Sequence, residues 1–320
     1  MENRKLNLPL AGIPTFCKAP LREDWGKLEA NVAVLGVPFD ISVAARPGAR
    51  FGPKAIREAS CLYALVETGY YDHELDENCM EGVSIVDCGD VDMSHMDAQR
   101  CLQNTYEAAL EIISKNQDVL LVSLGGDHAV PIPLLRAFRS KGPLHVVQFD
   151  SHLYYVDERY GVREAHNNTM RRISELDYVT GMTHIGIHGI SSTSRKGFQE
   201  ARARGSTIIG PREFRRLGVE NVLAKLPRGC RFYVTIDVDV LDASLAPGTG
   251  VPCPGGLNYY ELTDTLRGIA ARGVVIGFDF CEVAPIYDPS GITAQTAIAV
   301  IVDFLSAIFR EKRKKGQHSR

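Results

Sequence analysis

Three short polar clusters in this chain have the residue types and spacing to bind metal ions. They are Gly125-Gly126-Asp127-His128, Asp150-Ser151-His152 and Asp237-Val238-Asp239. Each follows an apolar run rich in β-branched residues, over residues 119–124, 144–149 and 232–236. Residues two apart in an extended chain point the same way, so Asp150 with His152, and Asp237 with Asp239, can each converge on one point. The candidate ligands are therefore His128, Asp150, His152, Asp237 and Asp239. Oxygen and imidazole donors without thiolate suit Mn²⁺, Ni²⁺, Co²⁺ or Fe²⁺ better than structural zinc. Carboxylates outnumber histidines and a carboxylate can bridge, which suits two ions about 3.5 Å apart sharing a hydroxide. Each cluster alone also fits an ordinary capped turn. Their joint occurrence at three strand ends is what points to metal chemistry.

The elements needed to position these clusters are legible. Residues 31–39, 83–86, 119–124, 144–149, 183–187, 206–209, 232–236 and 274–278 read as strands. Most are continuously apolar rather than alternating, as strands buried on both faces of a parallel sheet are. Between them lie helical patterns. Gly52-Pro53 opens one with proline in its first turn. Residues 98–116 carry apolar residues at helical spacing, and residues 258–272 end at Gly273, a suitable C-cap. These elements predict an α/β fold, a three-layer α/β/α sandwich around a mainly parallel sheet of about eight strands. No linker or repeat divides the chain, so residues 1–320 read as one domain with residues 1–30 as an irregular arm. In such sheets ligands bind beyond the carboxyl ends of the strands, where the three clusters fall.

Bulk properties narrow the class. The 320 residues are 45% hydrophobic and 23% charged, as in a globular protein with a sizeable core. A net charge of −3 gives no electrostatic case for a nucleic-acid or anionic-membrane partner. The basic run at residues 310–315 reads as a solvated, frayed helix end. No signal peptide or membrane span is apparent. Eight cysteines without a C-x-x-C pair, several inside strand-like runs, read as buried free thiols in a reducing compartment. A cytoplasmic location is the expectation.

At these residues the chain resembles the ureohydrolase family of arginase, agmatinase, guanidinobutyrase and proclavaminate amidinohydrolase. The resemblance rests on residues 46–57 (RPGARFGPKAIR), on Gly125 to His128, and on residues 235–242 (TIDVDVLD) with the APGTG and PGG runs that follow. It extends through residues 279–285 (DFCEVAP) and 287–293 (YDPSGIT), and the RPGARFGP run favours the agmatinase and guanidinobutyrase side. It implies two divalent ions, manganese with nickel as the alternative, bridged by Asp150 and Asp237. His128 would complete one ion, and His152 with Asp239 the other. It further implies catalytic roles for His166, Glu282 and Asp127, with His166 as proton shuttle. Glu282, Asn168 and Thr249 would bind substrate, Glu282 by charge-assisted hydrogen bonds to a guanidinium. The implied reaction hydrolyses a guanidino compound to an amine and urea or a substituted urea, through hydroxide that the ions generate at neutral pH. Agmatine, a guanidino acid and an alkylated guanidine or biguanide are the expected substrate types. The implied assembly is a homo-oligomer, trimer or hexamer.

One position departs from the family pattern. The second motif normally reads Asp-Ala-His-x-Asp and here ends in Tyr154, a weak ligand unless ionised. The ion beside His128 is then expected to be held weakly, to be a different metal such as nickel, or to be absent. Asp157, three residues on, is expected to stay outside the ligand set. His188 stands where arginine is common, and Asn167 and Asn168 where many relatives carry smaller residues. These changes open a second reading, a weak or inactive homologue acting as a structural or regulatory subunit of a hetero-oligomer with an active paralogue.

Overall fold

A computed structural model of the chain describes residues 11–43, 45–63, 69–94, 96–190 and 193–318. Among the described residues ten strands are present: β1 (Val32–Val37), β2 (Tyr70–Asp72), β3 (Glu77–Cys79), β4 (Ile85–Asp90), β5 (Leu120–Gly125), β6 (Leu144–Phe149), β7 (Val179–Ile185), β8 (Thr207–Ile209), β9 (Arg231–Asp237) and β10 (Val274–Cys281). Eight form one sheet in the order β4-β1-β5-β10-β9-β6-β7-β8, and every neighbouring pair is parallel. All eight strand expectations fall on this sheet. The antiparallel β2–β3 hairpin was not foreseen, because its two three-residue strands carry no apolar period.

The helices are α1 (Gly52–Ser60), α2 (Ala98–Lys115), α3 (Pro131–Ala137), α4 (Thr169–Ile173), α5 (Arg195–Ala203), α6 (Pro211–Ala224), α7 (Tyr259–Arg272) and α8 (Ile292–His318). Two apolar cores lie on opposite faces of the sheet, and alternate strand residues feed them. Val32, Val34, Phe232, Val234 and Ile236 pack with α1, α6, α7 and α8. Ala33, Leu35, Val37 and Tyr233 pack with α2, α3, α4 and α5. This is the three-layer sandwich expected.

Helix ends follow their local chemistry. Asp97 caps α2 by accepting from the Arg100 N–H at 2.9 Å. Asn258 and Glu261 form a reciprocal capping box on α7, each bond 2.8 Å. Gly273 ends α7 but not in the left-handed conformation expected of a C-cap glycine, since its φ is −159°. Glycine is needed there because a Cβ would lie 2.3 Å from the Cys230 carbonyl oxygen.

The C-terminal segment corrects two expectations. Residues Ile292–Gly316 contain a window of mean hydropathy 1.9, long and apolar enough to cross a membrane. Within the fold 72% of that window is buried, so the apolarity is that of a core helix. The basic run continues α8 and is partly tied down. Lys315 donates to the Gly273 carbonyl, Lys314 pairs with Glu311, and Lys312 lies 4.7 Å from the Phe309 ring centroid.

Candidate metal centre and active-site cleft

Four contiguous central strands, β5, β10, β9 and β6, deliver the polar clusters to one place beyond their carboxyl ends. The turn after β5 requires glycine: a Cβ on Gly126 would lie 1.8 Å from the Phe39 carbonyl oxygen, which accepts the Asp127 N–H. That close approach swings His128 over the sheet end. Asp237 closes β9, and Val238–Val240 form a 3-10 turn in which the Asp237 carboxylate accepts the Asp239 N–H at 2.9 Å. The Asp-x-Asp pair is thus both a capped turn and a candidate ligand pair, and its two carboxylates reach different histidines.

His128 Nδ1 lies 2.9 Å from Asp237 Oδ2 and 3.1 Å from Asp150 Oδ2. His152 Nδ1 lies 2.9 Å from Asp239 Oδ2 and 3.6 Å from Asp150 Oδ1. Asp150 touches both groups, as a bridging carboxylate must. Outer partners fix the rings, as is usual for metal-ligating histidines. His128 Nε2 donates to Thr235 Oγ1 at 2.8 Å, and Thr235 donates to Asp279 Oδ1 at 2.7 Å. Nδ1 of His128 thus faces the carboxylates, and its lone pair would be free for an ion that displaces the proton shared with them. Asp150 is oriented by a second chain. Ser206 donates to His184 Nε2, His184 Nδ1 donates to Gln148 Oε1 at 2.6 Å, and Gln148 Nε2 donates to Asp150 Oδ2 at 2.7 Å.

These ligands are essentially out of solvent: His128, Asp150 and Asp237 are 0% exposed, Asp239 2% and His152 6%. Burial opposes charge on both histidines, yet the carboxylates outweigh it and hold their imidazolium forms far above the ordinary range. Burial likewise works against Asp150, but His128 and His152 bring it down to about 2. Burial and neighbouring carboxylates raise Asp237 and Glu282 well above the usual carboxylate range. Negative charge is in excess here, and divalent cations would balance it. One ligand atom from each of His128, Asp150 and Asp237 lies within 4.8 Å of the others, and the same holds for His152, Asp239 and Cys253. The donor set therefore fits two ions, and its second group includes a sulfur that the sequence reading left out of the ligands.

A small cleft of about 30 Å³ opens beside this cluster, lined by Val43, Tyr154, His166, Asp239, Thr249 and Glu282 among others. Among the described residues its lining carries two carboxylates and neither lysine nor arginine. Glu282 holds a left-handed backbone (φ 67°), and its Oε1 accepts the His128 N–H at 2.8 Å. Tyr154 is also left-handed (φ 49°), so two non-glycine residues in this rare conformation flank the site. Its ring stacks on His152 and meets His128 and His166 edge-on, while its hydroxyl donates to Asp237 Oδ2 at 3.4 Å. His166 Nδ1 is buried without a partner, and burial pushes the imidazole down to about 4.

The other candidates are placed differently. Asp127 accepts from Ser42 and Ala129, and Ser42 Oγ accepts the His166 N–H at 3.0 Å, so Asp127 reaches the cleft only through the loop it holds. Burial pushes Asp127 up to about 6. Asn168 donates to the Val156 carbonyl and its buried Oδ1 has no partner. Thr249 lines the cleft, and its carbonyl accepts from Arg46. Asp157 pairs with Arg163 and Arg172, outside the ligand set. His188 turns back onto the Gly186 carbonyl. Gln148, His184, Thr235 and Asp279 escaped assignment from spacing. Their signal was a polar side chain inside a strand buried on both faces.

An α/β/α sandwich with paired His/Asp clusters at the ends of its central strands defines a class of metal-site hydrolases. The chain belongs to the arginase family, whose sequence description matches residues 30–306. It is 33% identical to proclavaminate amidinohydrolase of Streptomyces clavuligerus over 309 residues, covering 95% of each chain. It is 35% identical to an agmatinase of Bacillus cereus over 281 residues, 87% of this chain and 91% of that one. The solved structure of the Streptomyces clavuligerus enzyme superposes with a TM-score of 0.85 at 31% identity, covering 95% of this chain and 99% of that chain.

Proposed function

We propose that this protein is a metal-dependent amidinohydrolase that cleaves a guanidino compound to an amine and urea or a substituted urea. The observation that carries the reading is the cleft, where buried Glu282 stands beside a two-ion donor set with, among the described residues, neither lysine nor arginine in the lining. Such a cleft selects a compact planar cation, and the family relatives include an amidinohydrolase and an agmatinase.

His128, Asp150 and Asp237 would hold one ion, and Asp150, His152, Asp237 and Asp239 the other. When bound, the ions supply Lewis acidity and a nucleophile at neutral pH. Glu282 Oε1 is engaged by the His128 N–H, so Oε2 remains to accept an N–H from the guanidinium. His166 is neutral at pH 7, and its free Nδ1 can take a proton as water adds to the guanidinium carbon. The same atom then returns the proton to the departing nitrogen, which leaves as the amine. Tyr154 narrows the cleft and favours a short or N-alkylated guanidine over a long one.

Tyr154 also supports the second reading, a subunit of low activity working beside an active paralogue. Metal content and product release separate the two. Protein purified from manganese- and from nickel-supplemented cells is analysed for metal, then assayed for urea release from agmatine, 4-guanidinobutanoate, guanidine and a biguanide. About two ions per chain with release from one substrate supports the hydrolase. One ion or none under both conditions, with no release, overturns it. We place the protein in the cytoplasm as an oligomer, for which sedimentation analysis is the direct check.

A further inference from the structure

We infer that Cys253 supplies a sulfur ligand to the second ion, beside His152 and Asp239, so that the two metal positions differ in chemical character. The inference rests on the metal-dependent reading above and adds a donor to it. Cys253 Sγ lies 3.9 Å from His152 Nε2 and 3.3 Å from Ser151 Oγ, which in turn lies 2.9 Å from His152 Nδ1. A separation of 3.9 Å is long for a hydrogen bond. One ligand atom from each of Cys253, His152 and Asp239 lies within 4.8 Å of the others, as donors to one ion can.

The sulfur is held in place by its loop. Arg46 grips the carbonyls of Thr249 and Gly250 on one side of Cys253. On the other side the Gly255 N–H is held by Asp242 Oδ2 at 2.6 Å. Cys253 is half-buried, whereas six of the eight cysteines are fully buried and the other half-buried one, Cys230, lies at the opposite end of β9. The thiol can thus be reached from solvent by an entering ion. A sulfur donor shifts the second position toward zinc, cobalt or nickel, while the first keeps only oxygen and nitrogen donors.

Cobalt loading of the purified chain tests this. Elemental analysis counts the ions, and the near-ultraviolet spectrum shows whether sulfur is among the ligands through its charge-transfer band. The expected result is two ions, a sulfur-to-cobalt band, and loss of that band in Cys253→Ser. In the wild-type chain, cobalt should also slow iodoacetamide alkylation of Cys253 by at least about tenfold, with Cys230 unchanged as internal control. Two ions without the band, or a band that survives Cys253→Ser, overturns the sulfur ligand and leaves the metal centre standing. No bound cobalt overturns both.

Discussion

Tyr154 sits against His128, His152 and Asp237, and its surroundings indicate what a carboxylate there would do. Its hydroxyl is 3.4 Å from Asp237 Oδ2, and its backbone sits at φ 49°, a region aspartate tolerates better than tyrosine. Burial and then the nearby carboxylates raise its phenol well above the ordinary range, so the neutral hydroxyl is a poor donor to a metal. On the proposed two-ion reading, Tyr154→Asp is expected to add a ligand to His128, Asp150 and Asp237 and to tighten the ion they would hold, read as slower loss of metal to a chelator. Unchanged metal loss would show that the aspartate cannot reach the ion. Thr235 acts one step further out, between His128 Nε2 and Asp279. Thr235→Val removes the acceptor that fixes the ring while keeping its shape. Metal affinity should fall about 10–100-fold, with Thr235→Ser retaining it, and an undiminished affinity in the valine variant would remove Thr235 from this role.

At the scale of elements, the stability of the site depends on the helix layers that clamp the sheet. Phe304 of α8 is fully buried, and its ring meets Phe278 of β10 with centroids 5.0 Å apart. Phe304→Ala should cost about 3–5 kcal/mol, measured as a lower denaturant midpoint at constant slope. A loss below about 1 kcal/mol would mean that this layer closes over the cavity with little penalty. The same apolar logic explains why the eight sheet strands were legible: most are largely apolar runs without strict polar alternation. The β2–β3 hairpin was not, because Tyr70–Asp72 and Glu77–Cys79 are too short for any period. His128, Asp150, His152, Asp237 and Asp239 could be read because a turn at a strand end concentrates them. Cys253 could not, since a single thiol between two prolines has no period and is brought to His152 only by tertiary folding. Gln148 and His184 serve the site from within β6 and β7, where a linear reading sees only an imperfect apolar strand.

For the molecule as a whole, buried histidines tie stability to pH in two opposed ways. Burial pushes His145 and His166 down to about 4 and His184 to about 3, so the fold keeps them neutral. An unfolded histidine titrates near about 6.5, so these groups contribute stability that is full above that pH and is lost as pH falls toward 4. Carboxylates raise His128 and His152, which contribute in the other direction, with stability present below about 6.5 and lost as pH rises. Bound ions would replace those protons, so in the loaded protein the neutral histidines should dominate the acid limb. His145 isolates the effect, because it lies away from the ligands and contacts Thr183 Oγ1 at 2.9 Å and the Phe232 ring edge-on. Its depressed value corresponds to a contribution on the order of 3 kcal/mol above pH 6.5. His145→Gln removes the titrating group, so its unfolding free energy should fall less than the wild type's between pH 7 and pH 4. The difference between the two curves should change by up to about 3 kcal/mol across that window. Parallel curves from denaturant titrations over this range would mean that His145 is as readily protonated in the fold as in the unfolded chain. The acid sensitivity of the molecule would then have to come from His166, His184 and the metal centre.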